Sequence, residues 1–576
     1  MREVAGSLGK AERFFAIAAL LGSLSCTGVV EGDPGGVPGG TGLSPGTGSG
    51  TGTGTGSGTG TGTGTIGPMS NPGRGEMHRL NATEYNASVG DVLGTALKPA
   101  NGNWRGGEIE GFDNVASVLG VDDTQFGLYV DAAEALANDV FASATLKAKF
   151  VTCSKTDDAA CVQDVISKAG LRIFRRPLRT AEVATYQAVY TKARALGQDH
   201  EGSLKTVLWS LLSSAEFLYR IELPGKTAGK RPLDGFELAS RLSYFLWSSS
   251  PDDALLDAAS KNALTTDADV KATVERMLTD GKSSRFIESF AGQWLGARKV
   301  ASHPVAADRF PQWTPAVADA AMNEMYLYFQ EFLQQDKSWM DFLKADVNYV
   351  NASLAPLYGI TNVTSTALTR TTNTTDERAG FLGLAGFLAV SSVDRRTSPT
   401  LRGKWVLANL LCAEPPPPPG NVPKLELAGK DLDNGNVRQI LEQHRTRADC
   451  ASCHALFDPF GLALEKYDAI GRFRTTYADG SAIDATTKLG NSDAYPSGVA
   501  FEGMSGAADV VTNNPAFKSC FTHKLFTYGL GRSPSGDDAA WITQIEQDWE
   551  KGDLTIRQLI QRLTQSVPFR NSGDIK

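Results

Sequence analysis

Long apolar runs are scarce in this sequence. Past its N-terminus no stretch reaches the roughly 18 uninterrupted apolar residues of a membrane-spanning helix, so the rest of the chain is expected to be soluble. A basic excess is also missing. The net charge is −8 over 576 residues, which gives no electrostatic footprint for nucleic acid or an anionic membrane surface. Cysteine is limited to 7 residues, too few for a disulfide scaffold but enough for one or two bridges in an exported protein. No Gly-rich phosphate loop, Gly-x-Ser-x-Gly elbow or His-Glu-x-x-His zinc motif occurs, which removes the common nucleotide, acyl-transfer and metalloprotease signatures. The length implies several domains and a large core.

What is present begins with an export signal over residues 1–26. Arg2, Lys10 and Arg13 supply positive charge, and Phe14 to Leu24 is an apolar run too short to span a bilayer comfortably. Cys26 follows small residues and reads as a lipid-attachment site. Ser23 and Leu24 depart from the usual lipoprotein pattern, so an ordinary cleaved signal is the alternative. Residues 27–75 are nearly all Gly, Thr, Ser and Pro and cannot offset their ordering entropy. They read as a disordered tether. The expectation is a body in the periplasm or at the cell surface, touching a membrane only through its lipid anchor.

Cys450-Ala451-Ser452-Cys453-His454 is the motif around which the chain is organised, the attachment pattern of a c-type haem. Two cysteines three apart lie about one helical turn from each other, so both thiols reach one face for thioether bonds. The following imidazole can then ligate the iron. A zinc site and a disulfide are the alternatives. Zinc would need two more ligands, and Cys412, His444, Cys520 and His523 are the nearby candidates.

The body reads as mainly α. Asn81 or Thr83 caps a helix through Leu93, stopped at Gly94. Further helices are predicted over 132–148, 162–174, from a Thr180 cap, 204–222, 235–247 capped by Asp234, from Asp252, 267–278, 284–295, 316–334, 400–411 and 437–447. Asp458-Pro459-Phe460-Gly461 reads as a turn, followed by a short helix over 462–470. The Gly- and Asp-rich stretch 473–504 suits short strands, and 516–528 and 554–564 return to helix. Pro415 to Pro419 reads as a stiff strut. In an oxidising compartment Cys153 with Cys161 forms a local bridge, and Cys412 with Cys520 a long-range one that clamps the strut to the chain end.

Several stretches together resemble the successive domains of unknown function of cytochrome-like exported proteins from planctomycetes and myxobacteria. They are Arg79 to Tyr85, Phe174 to Leu178, Leu238 to Trp247, Arg396 to Pro399 with Arg402 to Trp405, and Tyr528 to Arg532. Cys450 to His454 with Asp458 to Gly461 is similar to the haem motif of the fourth domain. The resemblance implies helical domains of unknown function over 76–150, 151–228 and 229–365, a cytochrome c-like haem-bearing domain over 375–475 and a C-terminal domain over 476–576. It carries no reaction with it.

For one covalent haem c, His454 is the expected proximal ligand. Met504, His444 and His523 are candidates for the sixth position, with an open site as the alternative. Arg396, Arg402 and Arg472 are candidate partners of the propionates. The functional expectation is electron transfer with an unknown redox partner, or oxidation of an unknown substrate. Its rival is a non-redox envelope binding or scaffolding protein in which Cys450 and Cys453 are structural.

Overall fold

Asn81 opens the folded body as the cap of helix Ala82–Leu93. Its side chain accepts from the Glu84 amide at 2.8 Å, and the Glu84 carboxylate accepts from the Asn81 amide at 3.0 Å. Gly94 ends the helix at φ +75°, a left-handed conformation that suits glycine. In the computed structural model the described residues are 77–573 except 103, 105, 154, 223–229, 374–377, 416–434, 445–447 and 492–496, with no side chains for 443–450, 452 and 537. The leader, Cys26, the tether and most of the proline strut lie outside these residues.

The body is mainly helical, as its periodicity implied. The described strands pair only in twos, all antiparallel: His78–Arg79 with Tyr219–Arg220, Arg231–Pro232 with Asn571–Ser572, Asn348–Val350 with Thr369–Thr371, and Thr486–Leu489 with Val499–Glu502. Asp234 caps Gly235–Trp247, and Asp252 caps Asp253–Ser260, both through side-chain oxygens.

Outside the motif helix, four stretches depart from the predicted pattern. The helix expected over 132–148 starts earlier, as Asp123–Ala142, and breaks at Ser143, which caps Ala144–Phe150 through the Leu146 amide. The helix expected over 204–222 ends at Leu212. There Ser213 caps it, its amide and hydroxyl both donating to the Trp209 carbonyl, and Tyr219–Arg220 turns into a strand. Arg179, not Thr180, occupies the cap of Thr180–Ala195. Within 284–295 the helix widens into a π turn over Ile287–Ala291, which re-phases it so that Phe290, Ala291 and Trp294 all face the core.

One buried apolar cluster extends from Phe112 and Val115 through Leu242, Phe290, Trp339 and Phe387 to Phe569. Residues far apart in sequence close it. Asn114 donates to the Tyr528 carbonyl at 2.8 Å, and the Glu110 carboxylate accepts from His523, Thr527 and Ser533. Two disulfides reinforce it, Cys153–Cys161 and Cys412–Cys520.

Helix Pro315–Gln334 buries a carboxyl in this core. Glu324 is fully buried and receives the Tyr358 hydroxyl at 2.5 Å and 2.6 Å on its two oxygens. Burial pushes its carboxyl from 4.5 up to about 8, against the opposing pull of the Tyr358 hydroxyl and Arg378. The folded state therefore keeps a proton that the unfolded state has lost. The resulting stabilisation is complete below about pH 4.5 and is lost as pH rises towards about 8. Urea denaturation across that window is expected to show a smaller decline for Glu324→Gln than for the wild type. Parallel curves would rule out this role for Glu324.

Candidate functional site

The motif cysteines and His454 lie on helix Ala448–Ala463, so the Cys-x-x-Cys-His spacing is helical in fact. Cys453 is half-buried, packs against the core cluster and is in no disulfide. The Cys450 side chain lies outside the described set. His454 is half-buried, its ring 4.9 Å from that of Phe457.

One helical turn further on, Asp458 meets the His454 ring. Nδ1 lies 2.9 Å from Asp458 Oδ2, and the Asp458 side chain is fully buried. The Thr400 hydroxyl donates to the other carboxylate oxygen at 3.0 Å. A carboxylate only accepts, so in this bond Nδ1–H is the donor.

Asp458 can do this because the expected turn at 458–461 is helix. Pro459 sits inside Ala448–Ala463, where it can supply no amide to the ladder. Tertiary packing overrides that penalty. Helix Pro399–Leu410 crosses so closely that a Cβ at Gly461 would lie 1.9 Å from the Pro399 carbonyl oxygen, and one at Gly403 would lie 1.7 Å from that of Phe457. Only glycine allows either approach. The helix ends at Ala463 rather than restarting over 462–470, and the chain turns at 464–466.

That turn is held by Arg402. Its guanidinium is fully buried and donates to the carbonyls of Leu464, Tyr467 and Asp468 in that turn at 2.8 Å, 2.9 Å and 2.8 Å. Desolvation by burial lowers its pKa to about 10, partly countered by Glu465 nearby. Glu465, also fully buried, accepts from Thr397 and Arg474, both at 3.0 Å. Arg402 therefore braces the motif helix from inside. Arg472 pairs with Asp468 at 2.7 Å, and Arg396 donates to the Thr397 carbonyl.

The sixth-ligand candidates lie on three different helices. Met504, on Gly503–Thr512, is buried in the core, with its sulfur beside Gly383. His523 Nε2 is hydrogen-bonded to Glu110 at 2.9 Å. His444 ends helix Val437–His444, and its side chain lies outside the described set. Of the four extra zinc ligands considered, Cys412 and Cys520 are consumed by their mutual disulfide. Among the described residues no group of three or more His, Cys, Asp or Glu is placed to hold a metal ion.

Asp458, Thr400 and Arg402 were not assigned these roles from sequence. The i, i+4 spacing of His454 and Asp458 was a usable signal for the first, hidden by reading Asp-Pro as a turn. Thr400 and Arg402 reach the site from another helix, and no spacing within the motif points to them.

Comparison with protein-family models finds five consecutive matches along the body, each described as a protein of unknown function. In chain order they are DUF1587 over 78–142, DUF1595 over 161–222, DUF1592 over 233–360, DUF1588 over 378–477 and DUF1585 over 497–569. The chain is thus a multidomain protein built from such domains, and the Cys450 to His454 motif falls within the DUF1588 match. No match was found among curated proteins or among solved structures.

Proposed function

We propose that this chain is an exported, envelope-tethered protein carrying one covalent haem c, with Cys450 and Cys453 as thioether residues and His454 as proximal ligand. It acts in electron transfer or in oxidation of a substrate. The observation that carries this reading is the His454–Asp458 hydrogen bond on the motif helix. It supports an imidazole held in the tautomer that offers Nε2 to a metal, with the cysteine positions within one helical turn. The two disulfides support export, since such bridges persist in oxidising compartments. The basic, apolar and Cys26-bearing leader and its Gly/Thr tether support attachment to the envelope.

When bound, the haem supplies one-electron chemistry at iron. The protein's part is to orient and tune. Asp458 holds the Nδ1 proton, Thr400 holds Asp458, and Arg402 with the Gly403 and Gly461 contacts fixes the helix that presents them. A carboxylate on Nδ1 makes the imidazole a stronger donor, which favours the oxidised metal. Asp458→Asn keeps the shape and removes the charge, so the midpoint potential is expected to rise in a spectroelectrochemical titration. An unchanged potential in a variant that still holds haem would assign Asp458 a structural role only.

The cofactor itself is tested by purification from a host with cytochrome c maturation. Haem stain surviving a denaturing gel, with iron in equal amount to the chain by elemental analysis, is the expected result. A colourless protein, or one carrying zinc, would overturn the proposal.

A further inference from the structure

Away from the motif helix, the N-terminal part of the body encloses a cavity of about 490 Å³, in the range of small-molecule sites. It opens where three of the matched segments meet. Helices Ala82–Leu93 and Asp123–Ala142 supply Leu93 and Val140, Ala144–Phe150 supplies Leu146 and Phe150, Ala159–Phe174 supplies Ile173, and Asp253–Ser260 supplies Leu256. These walls are aliphatic and aromatic, so the interior suits a hydrocarbon and gives a polar ligand little to bond.

The rim is charged, but most of its charges are used. Arg172 pairs with Asp253 at 2.5 Å, Lys168 with Asp164 at 2.7 Å, and Lys261 with Asp257 at 2.7 Å. Lys149 differs. It lines the cavity and makes no ion pair or hydrogen bond among the described residues. Its ammonium stands over Gly94, 2.7 Å from where a Cβ would lie, at the C-terminal end of helix Ala82–Leu93. The site thus combines an apolar interior with one lining cation that has no carboxylate partner among the described residues and only the C-terminal end of helix Ala82–Leu93 beside it.

We infer that this cavity binds a single-chain aliphatic monocarboxylate, with the chain inside and the carboxylate against Lys149. One ammonium matches one monoanion, and burial of methylenes supplies most of the affinity. This assignment is independent of the haem reading.

The test is calorimetric titration of the full chain with decanoate, dodecanoate and decanol, each below its aggregation limit. Saturable one-site binding is expected, with dodecanoate about tenfold tighter than decanoate for its two extra methylenes. Decanol should bind about threefold to fivefold more weakly than decanoate. Lys149→Glu, an exposed change, should weaken decanoate about tenfold and leave decanol unaltered. Ala169→Trp, on the cavity wall, should abolish both while leaving the circular dichroism unchanged. If that variant misfolds, Lys149→Glu decides. Absence of saturable binding overturns the site. Equal binding of decanoate and decanol, or indifference to Lys149→Glu, overturns the carboxylate assignment.

Discussion

Cys450→Ala with Cys453→Ala, made in a host that matures c-type cytochromes, is expected to give full-length protein with no covalent haem. A thioether needs a thiol, and these two positions are the pair that a Cys-x-x-Cys-His motif offers. The body should survive the change. Cys453 is only half-buried, and the motif helix is braced by Arg402 and by the glycine contacts with Pro399–Leu410, none of which involves a cysteine. Each single alanine variant should retain one attachment point and part of the stain. His454→Ala should keep covalent haem while changing its visible spectrum, because attachment and ligation use different side chains. Haem stain on the double variant, or none on the wild type, would defeat the assignment.

Opening the Cys412–Cys520 bridge is expected to cost about 5 kcal/mol of unfolding free energy, near the upper end for a single disulfide. The bridge closes a sequence separation of 108 residues, and the entropy that it removes from the unfolded chain grows with the logarithm of that length. The Cys153–Cys161 bridge closes a separation of only 8, for which the same relation gives about 2.5 kcal/mol. Denaturant unfolding of Cys412→Ser with Cys520→Ser, beside Cys153→Ser with Cys161→Ser, measures both. The long bridge should cost about twice what the short one does. Equal losses would mean that the 412–520 segment stays compact when the rest unfolds. The long bridge has a second consequence. Cys412 lies just beyond the helix that crosses the motif helix, and Cys520 lies on Pro515–Leu530, which packs in the common core. Its loss should therefore also broaden the response of the site to denaturant.

Much of the fold was readable from local chemistry. Asn81 with Glu84, and Asp234 with Glu237, are side chains that satisfy helix ends within three residues, so their spacing alone places those helix starts. Gly94 ends its helix for an equally local reason. Where packing competes with propensity, the reading failed. The helix continues through Pro459 because Gly403 and Gly461 bring two backbones together, and the π turn over Ile287–Ala291 serves the core-facing rings around it.

The sequence by itself determined the mainly helical character, the motif spacing of Cys450, Cys453 and His454, and the cysteines available for pairing. These depend on periodicity, capping and composition, which act over a few residues. Only the tertiary structure decided that Thr400 holds the Asp458 carboxylate beside His454, that Arg402 braces the turn after its helix, and that Glu110 joins His523, Thr527 and Ser533. Those contacts link residues up to hundreds of positions apart. Their partners are chosen by which helices share a core, and no short-range pattern in the chain encodes that choice.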